Sequence, residues 1–573
     1  MRHLLPFLSW PKLTPTLARS EALAGLTVVW IMIPQGLAYA LLAGMPPMSG
    51  LITAFVAALV AALFGASATL STGPAALSCI LIGTSIAGLT TNPALNLTGT
   101  AMFSADWVML AVWLALLSGA MQLLLGALRF GWVIQLISSP VMMGFTQAAA
   151  CLIMWSQVPA LLGVRAADIQ SLGAVFQNLN LWTISFGFAS LLVLFLSKQW
   201  HKAVPWMLLV LMVFALASYA FDYSMHAPVV GALPLTIPKY SLSVPSWTLI
   251  EALLLPAAVI ALVSFLEAAS SAKIEHQRFG TQWNDSQDLI GQGMAKIAAG
   301  FAGGFPSSAS FSRSAINLGA GARTPWSSVF MVALGVLMLI LAAPVLALVP
   351  RAGLSAVVIM AVFSLLKPNA FMTLWRVSKT ECMIAGLTFV ATLVTAPDLY
   401  WGVLLGALAA LAHFLYQRLH PRMIEVGMHA DGSLRDRILW TLPPLSPSVY
   451  AVRMDAALDF ASAASFERQV FAALAKRRAV HRYSDTIHQS AVEHVCIFAQ
   501  PMNWIDATGV ETLSNMAKLL RSQGIYLHLS GLKSPVEKAL DRAEAVQSSE
   551  WVRRYRSEAE TICALQALSD VST

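Results

Sequence analysis

The chain reads as a polytopic α-helical membrane protein with two broken spans, followed by a small α/β domain. Three observations carry that reading. Of 573 residues, 57% are hydrophobic and only 11% are charged, against roughly 25% charged in soluble domains; mean hydropathy is +0.70. The long apolar stretches lie almost entirely in residues 1–417, each near the ~20 residues that cross a ~30 Å hydrocarbon core. Two of them are interrupted by Gly, Pro and hydroxyl residues, at Ser71-Thr72-Gly73-Pro74-Ala75-Ala76 and at Gly304-Phe305-Pro306-Ser307-Ser308-Ala309-Ser310-Phe311-Ser312-Arg313.

The apolar segments fall approximately at 21–43, 48–66, 72–89, 104–128, 131–161, 180–197 and 203–221. A second group lies at 249–272, 287–302, 309–321, 326–349, 353–367, 381–397 and 399–417. That predicts fourteen spans, seven on each side of the polar stretch Asp222 to Ser246. The broken segment is third in each group, and an odd number of spans per repeat makes the two repeats inverted. The expected organisation is an N-terminal tail (1–20), a spanning region (21–417), a linker (418–447) and a C-terminal domain (448–573). The N-terminus is polar, short and broken by Pro, so no removable signal peptide is expected.

The net charge of +7 is uneven. Residues 1–417 hold seventeen Lys and Arg against eleven Asp and Glu, whereas 418–573 hold eighteen against seventeen. The excess sits in short loops and reports orientation, not nucleic-acid binding. With the N-terminus inside, the inner loops hold Arg2, Lys12, Arg19, Arg129, Lys198, Lys202, Lys273, Arg278, Arg323, Lys367, Arg376 and Lys379; the outer loops hold only Arg165, Lys239 and Arg351. Both termini are therefore expected on the cytoplasmic side of the cell (inner) membrane.

The tail changes character. Val449 to Met454 and Val492 to Phe498 pattern as strands, as does Gly524–Ser530. Ala461–Lys476, Gly509–Gln523 and the stretch from Pro535 pattern as helices. Strands alternating with helices predict a small α/β domain. Lys476, Arg477, Arg478 and Arg482 read as a solvated basic loop. Five cysteines (Cys79, Cys151, Cys382, Cys496 and Cys563) show no pairing or metal-ligand spacing.

A Gly/Pro break inside a span starts a half-helix, whose first amides lack intrahelical partners and carry roughly half a positive charge. Two such breaks, one in each half, point to an ion site at the bilayer midplane, and these suit an anion. Arg313, in the first turn of the second half-helix, offers a planar fork of donors that fits oxyanions. Gly73, Ala75, Ala76, Ser310, Phe311 and Ser312 flank the breaks, where small residues and hydroxyls let an anion approach the backbone; close helix packing would use the same residues. Gln35 and Tyr39, four apart on one face, place polar groups at similar depth. Glu267, inside the eighth span, is a costly carboxylate of the kind that couples to an ion or proton. It could equally pair with Arg313 or Lys296 to lock helices. Lys296 itself reads as snorkelling to the interface. Asn96-Leu97-Thr98 matches a glycosylation sequon in a predicted outer loop.

Pro34-Gln35-Gly36-Leu37-Ala38-Tyr39-Ala40-Leu41-Leu42-Ala43-Gly44-Met45-Pro46-Pro47 resembles the first-span signature of the SulP sulfate permease family, also called solute carrier family 26. Ser71 to Ser78 resembles that family's third span. Leu289-Ile290-Gly291-Gln292-Gly293, Phe311 to Asn317 and Gly319 to Thr324 resemble its ninth and tenth spans. Ile505-Asp506-Ala507-Thr508-Gly509 with Leu513 resembles the STAS domain that ends most members. The resemblance implies core and gate domains, an elevator-like motion, a cytoplasmic STAS module open to a cytoplasmic regulator, and a homodimer. It places a small anion between the third and tenth half-helices, near Gln35, Tyr39, Ala75, Ser312 and Arg313, with Glu267 as the acid of the eighth span. Thr508 matches a position that is phosphorylated in bacterial relatives of the STAS domain, although Asp506 to Gly509 could simply cap a helix.

The chain also departs from the family pattern. Pro47-Met48-Ser49-Gly50-Leu51-Ile52 replaces the usual Pro-Val-Tyr-Gly-Leu-Tyr. Lys296 stands where the family often has Asn, and Ala75 where some animal members carry an aromatic. The Ser-Phe-Ser-Arg pattern, lost in cyanobacterial sodium-bicarbonate members, is kept. The resulting expectation is a secondary active transporter of sulfate or a similar oxyanion, proton-coupled through Glu267. Sodium- or proton-coupled bicarbonate or dicarboxylate transport and chloride exchange stay open. No enzyme is expected, since no triad, metal cluster or phosphate loop occurs, and no cofactor beyond a coupling proton or sodium.

Overall fold

The computed structural model describes residues 6–570 except 92–94, 96, 98–99, 133–137, 165–176, 198–205, 232–244, 364–365, 397 and 484–491. The sequon at Asn96 and the loop cations Arg2, Arg165, Lys198, Lys202 and Lys239 lie outside the described residues. The chain divides into two compact units, Met1–Ala410 and Leu411–Thr573.

The first unit is a fourteen-span bundle built as two inverted sets of seven. Its helices are α1 (Pro15–Leu42), α2 (Pro47–Phe64), α3 (Ala76–Thr90), α4 (Ala105–Ala127), α5 (Ser139–Leu162), α6 (Leu181–Ser197) and α7 (Trp206–Ala220), then α8 (Trp247–Phe279), α9 (Asp285–Phe301), α10 (Phe311–Gly319), α11 (Trp326–Ala347), α12 (Arg351–Phe363), α13 (Pro368–Val377), α14 (Lys379–Val394) and α15 (Tyr400–Leu419). By length and composition, α1, α2, α4, α5, α8, α11 and α15 can each cross a membrane alone; α3, α6, α7 and α12 are shorter apolar helices. The ten-residue α13 is amphipathic and was not foreseen. Helices α1–α4 pack with α8–α11, while α5–α7 pack with α12 and α14.

Boundaries differ from the sequence reading for local reasons. Thr14 caps α1, accepting from the Leu17 amide at 3.3 Å, so the helix starts before residue 21. Pro140 in the first turn sets the start of α5 at Ser139. The two broken spans shorten to α3 and α10 because Thr72–Gly73 (β1) and Ser308–Ala309 (β2) are extended. Helix α8 continues past 272 because its polar Glu275 turns inward, accepting from the amides of Ala68 and Thr69 at 2.7 and 3.0 Å. Asp288 on α9 likewise accepts from the amides of Ala66 and Ser67, at 2.7 and 3.0 Å. From the other repeat, Glu21 accepts from the amides of Arg323 and Thr324, at 3.0 and 3.1 Å. Each repeat thus grips a loop of the other through a carboxylate on backbone donors.

The second unit holds a six-stranded sheet in the order β4-β3-β5-β6-β7-β8: β3 (Met423–Met428), β4 (Leu434–Asp436), β5 (Val449–Met454), β6 (His494–Phe498), β7 (Tyr526–Ser530) and β8 (Val552–Tyr555). Strands β5 to β8 run parallel and β3 is antiparallel to both its neighbours. The stretch 418–447, read from the sequence as a linker, supplies β3 and β4. Helices α16 (Ala463–Tyr483), α17 (Ala507–Ser522) and α18 (Ser534–Arg542) bury Phe466, Val470, Leu513, Met516, Val536 and Leu540 against Val452, Ile497 and Leu529. The opposite face packs Val449, Cys496 and Phe498 against Leu565 of α19 (Glu558–Asp570). The basic run is not a loop: Lys476, Arg477 and Arg478 lie on α16, where Arg477 ion-pairs with Glu425, bonds the Val449 carbonyl at 3.2 Å and faces the Tyr450 ring. Asp506 caps α17, accepting from the Gly509 amide at 2.8 Å, and Thr508 is exposed.

Two buried imidazoles meet across this sheet. His494 Nδ1 lies 3.1 Å from His528 Nε2, and His528 Nδ1 lies 3.2 Å from the Tyr555 hydroxyl. Burial, reinforced by His494 and Arg553, lowers His528 from 6.5 to about 4. The fold therefore favours the neutral ring. Its contribution is complete above pH 6.5 and is lost as pH falls towards 4, a difference of about 3 kcal/mol. Hydrogen exchange of the β6 and β7 amides, corrected for intrinsic rates, should lose protection between pH 6.5 and 4.5. The His528→Gln variant should give a flatter profile; equal loss in both would exclude this histidine as the cause.

Candidate functional site

The site begins with backbone geometry. Strands β1 and β2 pair antiparallel, Thr72 opposite Ala309 and Gly73 opposite Ser308. The Ser310 amide extends the crossing by donating to the Ser71 carbonyl at 3.0 Å. Such short strands at membrane depth stand because protein surrounds them. Ser71, Thr72, Ser307 and Ser308 are fully buried. Gln292 donates to the Thr72 hydroxyl at 2.8 Å, Ser314 accepts from the Ser71 amide at 2.9 Å, and Asn317 donates to the Thr69 carbonyl at 3.0 Å. The crossing sets the N-termini of α3 and α10 together. Neither N-cap, Ala75 or Ser310, makes a side-chain cap bond.

Arg313 is 1% exposed. Its Nη1 donates to Gln35 Oε1 at 2.9 Å and its Nε reaches Ser71 Oγ at 3.4 Å. Among the described residues its Nη2 has no hydrogen-bond partner, and a Cβ placed on Gly73 would lie 3.4 Å from it. A buried donor left open costs about 1–3 kcal/mol, which an acceptor arriving beside Gly73 would recover.

Glu267 on α8 is half-buried. Its Oε2 accepts from Ser308 at 2.5 Å and from Ser78 at 3.3 Å. Among the described residues every ion pair lies in the second unit, so Glu267 and Arg313 are not a locked pair. Each still feels the other's charge without contact. The single Ser308 hydroxyl proton also lies within reach of the Ser264 carbonyl, at 3.1 Å. An ionised Glu267 takes that proton as acceptor; a protonated Glu267 can donate and release Ser308 to Ser264.

Of the residues singled out from the sequence, the structure gathers Gln35, Gly73, Ala75, Ala76, Arg313 and Glu267 around the crossing. Tyr39 is buried one turn beyond Gln35. Ser310 and Ser312 bond each other at 3.2 Å, and Phe311 is exposed, so these three bring backbone at the start of α10 rather than converging side chains. Lys296 corrects the sequence reading. It does not snorkel: it is 0% exposed and donates to Gln122 Oε1 at 2.8 Å. Gly119 and Gly293 let α4 and α9 approach so closely that either Cβ would meet the other's carbonyl oxygen, within 2.8 Å, and the lysine stem is sealed between them. Ser71, Ser78, Ser308 and Gln122 were not singled out as site residues. Lone hydroxyls and one glutamine carry no spacing signal, and only the breaks beside two of them hinted at a role.

Charge, an open donor and two uncapped half-helices together suit an oxyanion. If Arg313 Nη2 meets the anion, sulfate should raise the Tm of the purified protein. Arg313→Met should weaken the apparent affinity about ten- to a hundredfold, the worth of one charge-assisted bond. Gly73→Ala, whose Cβ would lie 3.4 Å from Nη2 and push on Met32 Cε at 2.8 Å, should act in the same direction. An undiminished sulfate-induced shift in both variants would move the anion elsewhere.

The comparisons place the fold and the family. The model of the sulfate permease family matches residues 19–388, and that of the STAS domain matches residues 444–560. "Sulfate transporter 4.1, chloroplastic" of Arabidopsis thaliana is 28% identical over 552 residues, covering 93% of this chain and 78% of the relative. "High affinity sulfate transporter 2" of Stylosanthes hamata is 27% identical over 553 residues, covering 92% and 81%. Among solved structures, that of SLC26A9 superposes with a TM-score of 0.85 at 20% identity, covering 100% of this chain and 94% of that one. The chain belongs to the sulfate permease family of membrane transporters and carries a C-terminal STAS domain.

Proposed function

We propose that the protein is a secondary active transporter of an inorganic oxyanion, with sulfate as its substrate, working by elevator-type alternating access and driven by protons. The observation that carries this reading is the buried, unpartnered Nη2 of Arg313 between two uncapped half-helix N-termini. The anion is bound by Arg313 and by first-turn amides of α3 and α10, which supply charge without a dedicated cage. The names of the relatives support sulfate; bicarbonate and short dicarboxylates present the same oxygen chemistry and are the rivals to test. The chain sits in the cell membrane with both termini cytoplasmic, as loop charge suggests. It works as a homodimer, with the STAS domain facing a cytoplasmic regulator.

Glu267 is the coupling group. An anion entering a negative-inside cell is opposed by ~2.3 kcal/mol per charge per 100 mV, so uphill uptake needs an accompanying cation. A proton on Glu267 removes a negative charge beside the anion and frees the Ser308 hydroxyl for the Ser264 carbonyl, so that loading of proton and anion favour each other.

The test is uptake of labelled sulfate, bicarbonate and succinate into proteoliposomes under an imposed inward proton gradient. One pH unit carries about 1.4 kcal/mol per proton, enough for about tenfold accumulation. The wild type should concentrate sulfate, whereas Glu267→Gln should only equilibrate it. Unchanged concentrative uptake by Glu267→Gln would end the coupling role, and preference for bicarbonate or succinate would replace the substrate.

A further inference from the structure

The inward-turned carboxylates of the spanning unit are not alike. Glu21, Glu275 and Asp288 each hold backbone amides. Glu267 is held by two hydroxyls, those of Ser308 and Ser78. Across α8 lies the converse case. The Lys296 ammonium is fully buried, and among the described residues its one hydrogen bond goes to a neutral amide, Gln122. An ammonium has three protons to place and costs several kcal/mol to bury unless a negative charge answers it. Methionine or glutamine would fill the same gap between α4 and α9 at less cost, so packing does not account for this residue.

Polar contacts link the two groups. Lys296 donates to Gln122 Oε1 at 2.8 Å; Gln122 Nε2 donates to the Ala261 carbonyl at 2.6 Å and to Ser264 Oγ at 3.1 Å. The Ser264 carbonyl lies 3.1 Å from Ser308 Oγ, which bonds Glu267. The amide cannot flip without opposing its NH₂ to the ammonium, so Lys296 is aimed. Helix α9 packs on α2, α4 and α8, and the charge facing Lys296 from these is Glu267, which feels the lysine electrostatically. Asp288 and Glu275 lie about two turns away, bound to the loop at 66–69.

We propose that Lys296 is a tethered cation for Glu267, carrying on the chain the positive charge that a sodium ion would otherwise bring to that carboxylate. A free sodium ion there would meet the repulsion of Lys296 and Arg313 together, whereas a proton would not need an added site. The carrier is therefore selective for protons over sodium. This inference rests on the reading of Glu267 as the coupling carboxylate.

The experiment compares labelled sulfate uptake under one proton gradient, with sodium or choline as the bulk cation. Wild type and Lys296→Arg should be indifferent to the choice. Lys296→Asn, which removes the charge and leaves an oxygen ligand, should lose about tenfold of its rate in choline and regain most of it in sodium. A second readout needs no transport: sodium titrated into purified protein should raise the Tm of Lys296→Asn and leave the wild type unmoved. Sodium stimulation of the wild type, or Lys296→Asn without sodium dependence in either readout, would overturn the proposal. Wild type that accumulates no anion would end the transport reading, and the Tm readout would then decide this one.

Discussion

Everything at the candidate site hangs on the antiparallel crossing of β1 and β2. Two residues from each repeat pair there, and the pairing brings two helix N-termini face to face in the interior. Backbone left without a ladder partner at this depth would be expensive, so the protein surrounds the crossing with Gln292, Ser314 and Asn317. Their bonds hold the Thr72 hydroxyl and the backbone leading into β1. At the first turns of α3 and α10 neither N-cap side chain takes up an amide.

The charges around the crossing follow one rule: none is neutralised by direct contact with another. Arg313 leans on a glutamine and a serine, Glu267 on two serines, Lys296 on a glutamine. Neutral partners hold a charged side chain in place without cancelling its field. A contacting ion pair would trade that field for rigidity and leave little for a mobile ion. The second unit shows the contrast, with Glu425 gripping Arg437 and Arg477 directly.

Much of this was legible in the chain. Gly and Pro at 73–74 and 304–306 announced the breaks, and Arg313 and Glu267 stood out as charges inside apolar runs. The span count followed from hydropathy, because each helix must satisfy its own backbone in lipid. What stayed hidden depends on facing rather than spacing. Thr72 opposite Ala309 is a contact across more than two hundred residues and involves two-residue strands with no pattern of their own. Lys296 was misplaced because its position near the end of a span does not tell which side of α9 it takes, and Gly119 and Gly293 decided that. The strand at Met423–Met428 was missed because it follows α15 almost directly and carries Glu425 and Gly427, residues poor in strands. Arg477 looked solvated until α16 ran on past it and brought it to Glu425.

The central claim is that an oxyanion sits where α3, α10 and Arg313 Nη2 converge. Selenate has the shape and charge of sulfate and scatters anomalously at the selenium edge. Diffraction from crystals of the protein grown with selenate should show one anomalous peak beside Gly73, within hydrogen-bond reach of Arg313 Nη2 and of the first amides of α3 and α10. A peak elsewhere in the spanning unit, or none at a concentration that saturates binding in solution, would contradict the account.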